Sequence, residues 1–248
     1  MNLTDIINDQ HIERKVDSFP YLRYMGSKHK LSPWIYDIIK NLDFNSALDG
    51  FSGSGVISYL LKSMDKTVYS NDFLHFSYII SKGIIENSEE TLSPADVEML
   101  ISKYGTPEKF ISTTFKDIFY SKPELEFLDQ ISHNIQLLDS EKKRALAYTS
   151  LFRACLKKQP RGVFTVSGNL EKYNDGRRDL QLNLEQHFKE QVKIYNKIIF
   201  NNDAVNISFN QNIFNFDQNT YKPDLVYLDP PYVPNSDDNC YVKRYHFL

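Results

Sequence analysis

The sequence predicts an α/β protein: a doubly wound parallel sheet interrupted by a mostly helical insert. Three observations predict it. Two strand–helix repeats follow one another between residues 46 and 85. Two more strand-like runs, 204–210 and 224–229, come late in the chain. Between these sets, residues 86–199 have a different, more polar character. Strands that alternate with helices mark a parallel sheet covered on its faces.

Taken in order, the first fifteen residues are polar and are expected to be loosely held. SALDG, 46–50, reads as a short buried strand ending at Asp49. FSGSG follows as a glycine turn, and VISYLLKSM, 56–64, as a helix. TVYSND, 67–72, is a second strand with an acidic end, and 73–85 is again helical. Residues 86–131 hold acidic clusters and helical stretches. Residues 141–158 form an amphipathic pattern with a basic face, stopping before Pro160. RGVFTVSGN, 161–169, suggests a strand or hairpin, and 180–199 another helix. The strand pattern then resumes in AVNISFN and DLVYLD. Residues 1–85 and 200–248 are therefore read as one α/β domain and 86–199 as its insert.

The chain has 248 residues, enough for one large domain with an insertion. Its 41% hydrophobic and 25% charged residues fit a soluble globular protein. No apolar run approaches the roughly 20 residues that span a bilayer. The start, MNLTDIINDQHIERK, lacks a signal-peptide core. Cys155 and Cys240 form no CxxC and no His/Cys cluster. No metal site or disulfide framework is expected, and the reducing cytoplasm is the simplest compartment. A net charge of −3 argues against a uniformly basic nucleic-acid binder. Yet from Lys142 to Arg178 there are ten Lys or Arg and two acidic residues, a local balance of +8. That asymmetry points to a polyanion-facing surface, or else to a solvated helix face.

The chemistry gathers at strand ends. Gly53 and Gly55 in FSGSG permit a tight turn and close backbone approach to a ligand. Alone the turn is ambiguous, since it lacks the full dinucleotide-loop spacing. Asp72 ends the next strand, where a carboxylate can accept from both ribose hydroxyls. Together they imply a nucleoside-containing cofactor. In DPPY, 229–232, the prolines fix φ and remove two N–H donors. The Pro230 carbonyl and the Asp229 carboxylate are then adjacent acceptors, suited to an amino group with two hydrogens. Tyr232 offers a ring that stacks on a base.

These stretches resemble the D12 class of adenine-N6 DNA methyltransferases, and they stand in that family's order. YLRYMGSKHKL, 21–31, resembles the motif at the methionine end of S-adenosylmethionine. LDGFSGSG resembles the main cofactor loop, SND the ribose acid, QNIFNF, 211–216, the segment beside the cofactor adenine, and DPPY the catalytic motif. The resemblance implies a Rossmann-like methyltransferase sheet with a target-recognition insert. It implies cofactor contacts from Tyr24, Gly26, Lys28, Asp49, Phe51, Ser52, Gly53, Asp72, Asn212 and Ile213. Asn212 departs from the acid usual there. Asp229, Pro230, Pro231 and Tyr232 would hold the target adenine. Double-stranded DNA is the implied partner, with the base flipped out. Lys142, Lys143, Arg144, Arg153, Lys157, Lys158, Arg161, Arg177 and Arg178 are the candidate DNA contacts.

Sixteen residues follow DPPY, and the family carries further strands there. The expectation is that C-terminal strands are missing, or that a second chain completes the sheet. A competing reading is a non-catalytic, methyltransferase-like DNA-binding subunit. Methylation of cytosine N4 or of a protein glutamine is a third, but those relatives usually carry Ser or Asn where Asp229 stands.

Overall fold

A computed structural model describes residues 3–22, 24–164, 173–231 and 244–248, with side chains from Asp9 onward. The chain divides into two compact units. One runs to Glu90 and resumes at Lys197–Pro231; the other spans Thr91–Asn196 and takes in the described residues 244–248.

The first unit holds a mixed α/β arrangement. Its strands are β1 (Ser46–Asp49), β2 (Thr67–Asp72), β3 (Ile207–Asn210) and β4 (Leu225–Tyr227). Among the described residues they form one sheet in the order β3-β2-β1-β4, every pair parallel. The central strands β1 and β2 are buried, with Ala47 and Val68 fully enclosed, because helices cover them. β4 lies at the edge beside β1, and Val226 is 49% and Leu228 57% exposed. Asp224 sets its register. One carboxylate oxygen accepts from the Asn45 and Ser46 N–H groups and the Ser46 hydroxyl, each at 2.9 Å.

The helices of this unit are α1 (Leu3–Ser18), α2 (Ser32–Ile39), α3 (Val56–Ser63) and α4 (His75–Ser81), the last continuing as a π-turn over Lys82–Glu86. α3 is buried on all sides, as its apolar run VISYLL requires. Its Lys62 ammonium is inside too, donating to the Ile84 and Asn87 carbonyls at 3.0 and 2.6 Å. Leu61 on α3 is fully enclosed, so Leu61→Ala is expected to cost about 2–5 kcal/mol of unfolding free energy, measured by urea denaturation. The start of the chain differs from the loose segment expected: it forms the helix α1. Val16 and Phe19 are buried, Phe19 stacks 4.8 Å from Tyr59, and the Tyr36 hydroxyl donates to Asp9. Polar composition misled there, because among Asp9–Ser18 only Val16 is buried.

The second unit is helical: α5 (Pro94–Ile101), α6 (Phe110–Thr114), α7 (Lys122–Ile135), α8 (Glu141–Lys158), α9 (Arg178–Gln181) and α10 (Leu184–Asn196). Ser93 with Asp96 and Ser121 with Glu124 form capping boxes that start α5 and α7. α8 runs over the stretch expected, with its basic residues among its less buried positions and an apolar face inside the unit. Ala147, Ala154, Leu146 and Leu156 are all enclosed. Phe247 packs with Phe115, Phe119 and Phe164, so the described residues 244–248 lie in this compact unit. In the 161–169 stretch, 161–164 are turn and bend rather than strand, and the remainder lies outside the described residues.

Candidate active site

The site lies in the first unit, where the C-terminal ends of β1 and β4 meet the turn after β1 and the segment before α2. Gly53 and Gly55 take φ of +50° and +79°, which the turn demands and an L side chain resists. A Cβ on Gly53 would stand 2.7 Å from Cε1 of Tyr24, so the glycine lets that ring lie against the turn. The Ser52 N–H donates to the Asn71 carbonyl at 2.9 Å, and the Gly53 N–H to Asp72 at 2.8 Å. Asp72 also accepts from the Leu74 N–H at 2.8 Å. One carboxylate thus ties the glycine turn to the start of α4. The Asn71 amide donates to the Gly50 and Gln211 carbonyls at 3.1 and 3.2 Å, fastening the two strand ends on either side.

One cleft is lined by Tyr24, Gly26, Lys28, Asp49, Phe51, Ser52, Gly53 and Asp229, all read as site residues from the sequence. Ser27, Ser54, Val56, Ile57 and Tyr227 line it as well and were not anticipated. Their only sequence signal is adjacency to the glycine turn and to DPPY. The Lys28 ammonium forms an ion pair with the Asp229 carboxylate and donates to the Gly26 carbonyl at 3.0 Å. Ile213 rests beside Gly50, with Cδ1 3.1 Å from where a Cβ would stand. Asn212 is exposed and its side-chain oxygen accepts from the Phe214 N–H at 3.1 Å, capping a short 3₁₀ turn. Pro230 and Pro231 are exposed beyond β4, while Tyr232 lies outside the described residues.

Asp49 is a strongly perturbed acid. It is 1% exposed; one oxygen accepts from the Ser58 hydroxyl at 2.7 Å, and Oδ1 has no hydrogen-bond partner. Hydroxyl–hydroxyl bonds continue from Ser58 to Ser70 at 2.9 Å, to Ser81 at 2.8 Å and to Ser52 at 3.2 Å. Burial pushes the Asp49 carboxyl up to about 7, the Ser58 bond opposes this, and the Asp72 charge adds to it. Burial likewise raises Asp72 against the N–H bonds from Gly53 and Leu74.

A carboxyl that titrates near 7 when folded and near 3.8 when unfolded holds its proton longer in the native state. Its contribution is fully present below 3.8 and is lost as pH rises through 7. Asp49→Asn is therefore expected to flatten the stability–pH curve, by on the order of 2 kcal/mol between pH 5 and 7. Urea unfolding of both proteins across that range checks it; parallel curves would refute the assignment.

The basic candidates lie in the second unit, and most are engaged within it. Lys143 pairs with Asp96 at 3.3 Å and Lys157 with Asp179 at 2.9 Å. Arg144 donates to the Leu138 carbonyl, and Arg177 meets Asp175 at 2.8 Å. Lys158 donates to the Leu180 and Leu182 carbonyls at 2.9 and 2.7 Å, closing α9. Arg178 pairs with Glu190. Lys142 and Arg153 are half-buried, and Arg161 is exposed. Among the described residues, no three His, Cys, Asp or Glu side chains converge as metal ligands would. Nor is any described helix long and apolar enough to cross a membrane.

A parallel α/β sheet with a glycine turn after its first strand, an acid ending its second and Asp-Pro-Pro beyond its edge strand defines a class. The chain belongs to the D12 class N6 adenine-specific DNA methyltransferases, whose family model matches residues 24–246. Over 227 residues it is 32% identical to the type II methyltransferase M2.HphI of Haemophilus parahaemolyticus, covering 86% of this chain and 66% of that protein. It is 26% identical to the modification methylase StsI of Streptococcus sanguinis, covering 92% of this chain and 35% of that one. It is 22% identical to the type II methyltransferase M.NlaIII of Neisseria lactamica, covering 92% and 68%. The chain thus spans about two thirds of the first and third relatives and about a third of the second. No solved structure matches it significantly.

Proposed function

We propose that this chain moves a methyl group from S-adenosylmethionine to N6 of a flipped-out adenine in double-stranded DNA, within a restriction-modification or DNA-marking system. The observation that carries the reading is the convergence of Tyr24, Lys28, Asp49, Gly53 and Asp229 on one cleft. Family membership and relatives named as type II methyltransferases support it.

The residues present fit such a cofactor. Gly53 lets the Tyr24 ring close against the turn as one wall of the cleft, and one oxygen of buried Asp49 lacks a hydrogen-bond partner. Lys28 supplies the cation for a carboxylate. Asp72 would take ribose hydroxyls through the remaining lone pairs of oxygens that already accept N–H bonds. Ile213 and Asn212 would border the adenine. S-Adenosylmethionine, when bound, supplies an already activated methyl group.

The chain's own work is then positioning and hydrogen bonding. The amino nitrogen of adenine is a poor nucleophile because its lone pair is delocalised into the ring. Acceptance of its two hydrogens by Asp229 and the Pro230 carbonyl favours a tetrahedral nitrogen, with the lone pair free to attack. Proline at 230 and 231 keeps the second acceptor still. Unstacking the base costs a few kcal/mol, and stacking on Tyr232 would return about 1–3 kcal/mol of it. In this reading residues 1–85 and 200–248 form the cofactor-binding catalytic domain and 86–199 the target-recognition insert, with exposed Arg161 among its basic candidates.

The doubly wound Rossmann-like sheet would extend past β4. Its exposed Val226 and Leu228 favour the reading in which a further strand, from this chain or a second one, completes the sheet. That same exposure favours the alternative of a methyltransferase-like DNA-binding subunit that needs another polypeptide for activity. Incubation with tritiated S-adenosylmethionine and unmethylated DNA, then nucleoside analysis, decides between them. N6-methyladenine is expected; N4-methylcytosine rejects the reading, and cofactor binding without label supports the subunit.

A further inference from the structure

We infer that Lys28 couples the two halves of this site: it holds one oxygen of the Asp229 carboxylate until a ligand carboxylate draws its ammonium away, which leaves both oxygens free to turn toward the amino group of a base. The inference rests on the function proposed above and adds an order of events to it. Lys28 is thereby a positioning residue for Asp229.

The Lys28 ammonium pairs with one Asp229 oxygen, Oδ2, and donates to the Gly26 carbonyl. It therefore competes for that oxygen with an adenine amino group and fixes how the carboxylate is turned. An ammonium on a carboxylate is a charge-assisted bond, about twice as strong as one from a neutral donor. A neutral aromatic amine competes poorly for Oδ2 while the lysine stays. The methionine-type carboxylate of the cofactor is an anion that would draw the lysine away, and Lys28 lines the cleft that would receive it. The lysine side chain is 14% and the aspartate 20% exposed, so the pair sits at the cleft rather than inside the core. A flexible four-carbon stem lets the ammonium swing while Asp229 stays on its proline-stiffened segment. Because such coupling is reciprocal, occupation of the base site would in turn tighten cofactor binding.

The test uses the intact chain with aspartate labelled by carbon-13 at the carboxyl, the Asp229 resonance being assigned by its loss in Asp229→Asn. S-Adenosylhomocysteine carries the amino-acid carboxylate; 5′-methylthioadenosine shares the nucleoside and lacks it. Calorimetry establishes binding of each. The expected result is that S-adenosylhomocysteine shifts the Asp229 resonance and methylthioadenosine leaves it in place. In Lys28→Met, its fold checked by circular dichroism, the ligand-free resonance should already sit near the shifted position. That variant should lose at least about tenfold in S-adenosylhomocysteine affinity and little for methylthioadenosine. If both ligands bind and the resonance stays put, or moves equally with both, the coupling is refuted while the cofactor site stands. If neither binds, the functional reading fails, and the coupling with it.

Discussion

Asp229→Ala is expected to cut the proposed methyl transfer by at least about a hundredfold while S-adenosylmethionine affinity stays within a few-fold. The carboxylate stands beyond β4 at the cleft and is the acceptor proposed for the adenine amino group. Its loss leaves the Pro230 carbonyl as the sole acceptor, which removes the pairing that frees the nitrogen lone pair. Cofactor affinity is spared because Asp49, Asp72 and the Gly53 turn do not depend on Asp229. The measurement is single-turnover transfer beside calorimetric binding. A variant that methylates normally would remove Asp229 from the chemistry, and one that loses cofactor binding as well would make its role structural.

Gly53→Ala has the opposite signature: it damages cofactor binding first. At φ +50° an L residue costs about 1–2 kcal/mol. The new Cβ would also lie 2.7 Å from the Tyr24 ring, which must move. Displacing that ring opens the cleft wall, and shifting the turn strains the Gly53 N–H bond to Asp72. The expected result is a rise of about tenfold or more in the cofactor dissociation constant and a lowered melting temperature. If both are unchanged, the turn tolerates a side chain and does not shape the cleft.

Much of this was legible before any coordinates. β1, β2 and α3 run close to their expected bounds because short apolar-centred strands and a mainly apolar helix, set off by the glycine turn, mark buried elements. Asp49, Gly53 and Asp229 are legible for a related reason: they end strands or turn the chain, where residue type answers directly to backbone geometry. α1 was not legible, since a helix that buries only a few side chains keeps a polar composition. The basic stretch was legible as a charge count and no further. A count of +8 does not say that Lys143, Lys157 and Arg178 already face Asp96, Asp179 and Glu190.

The alternation of strand, glycine turn and helix, and the acids that close β1 and β2, follow from local chain stiffness and apolar patterning, and these are written residue by residue. Which carboxylate meets which cation is not. Lys28 and Asp229 stand two hundred residues apart in the chain and pair because β4 docks beside β1, held there by Asp224. Whether a charged side chain faces a ligand or a neighbour depends on such long-range packing, because electrostatic pairing answers to distance in space and not to position along the chain.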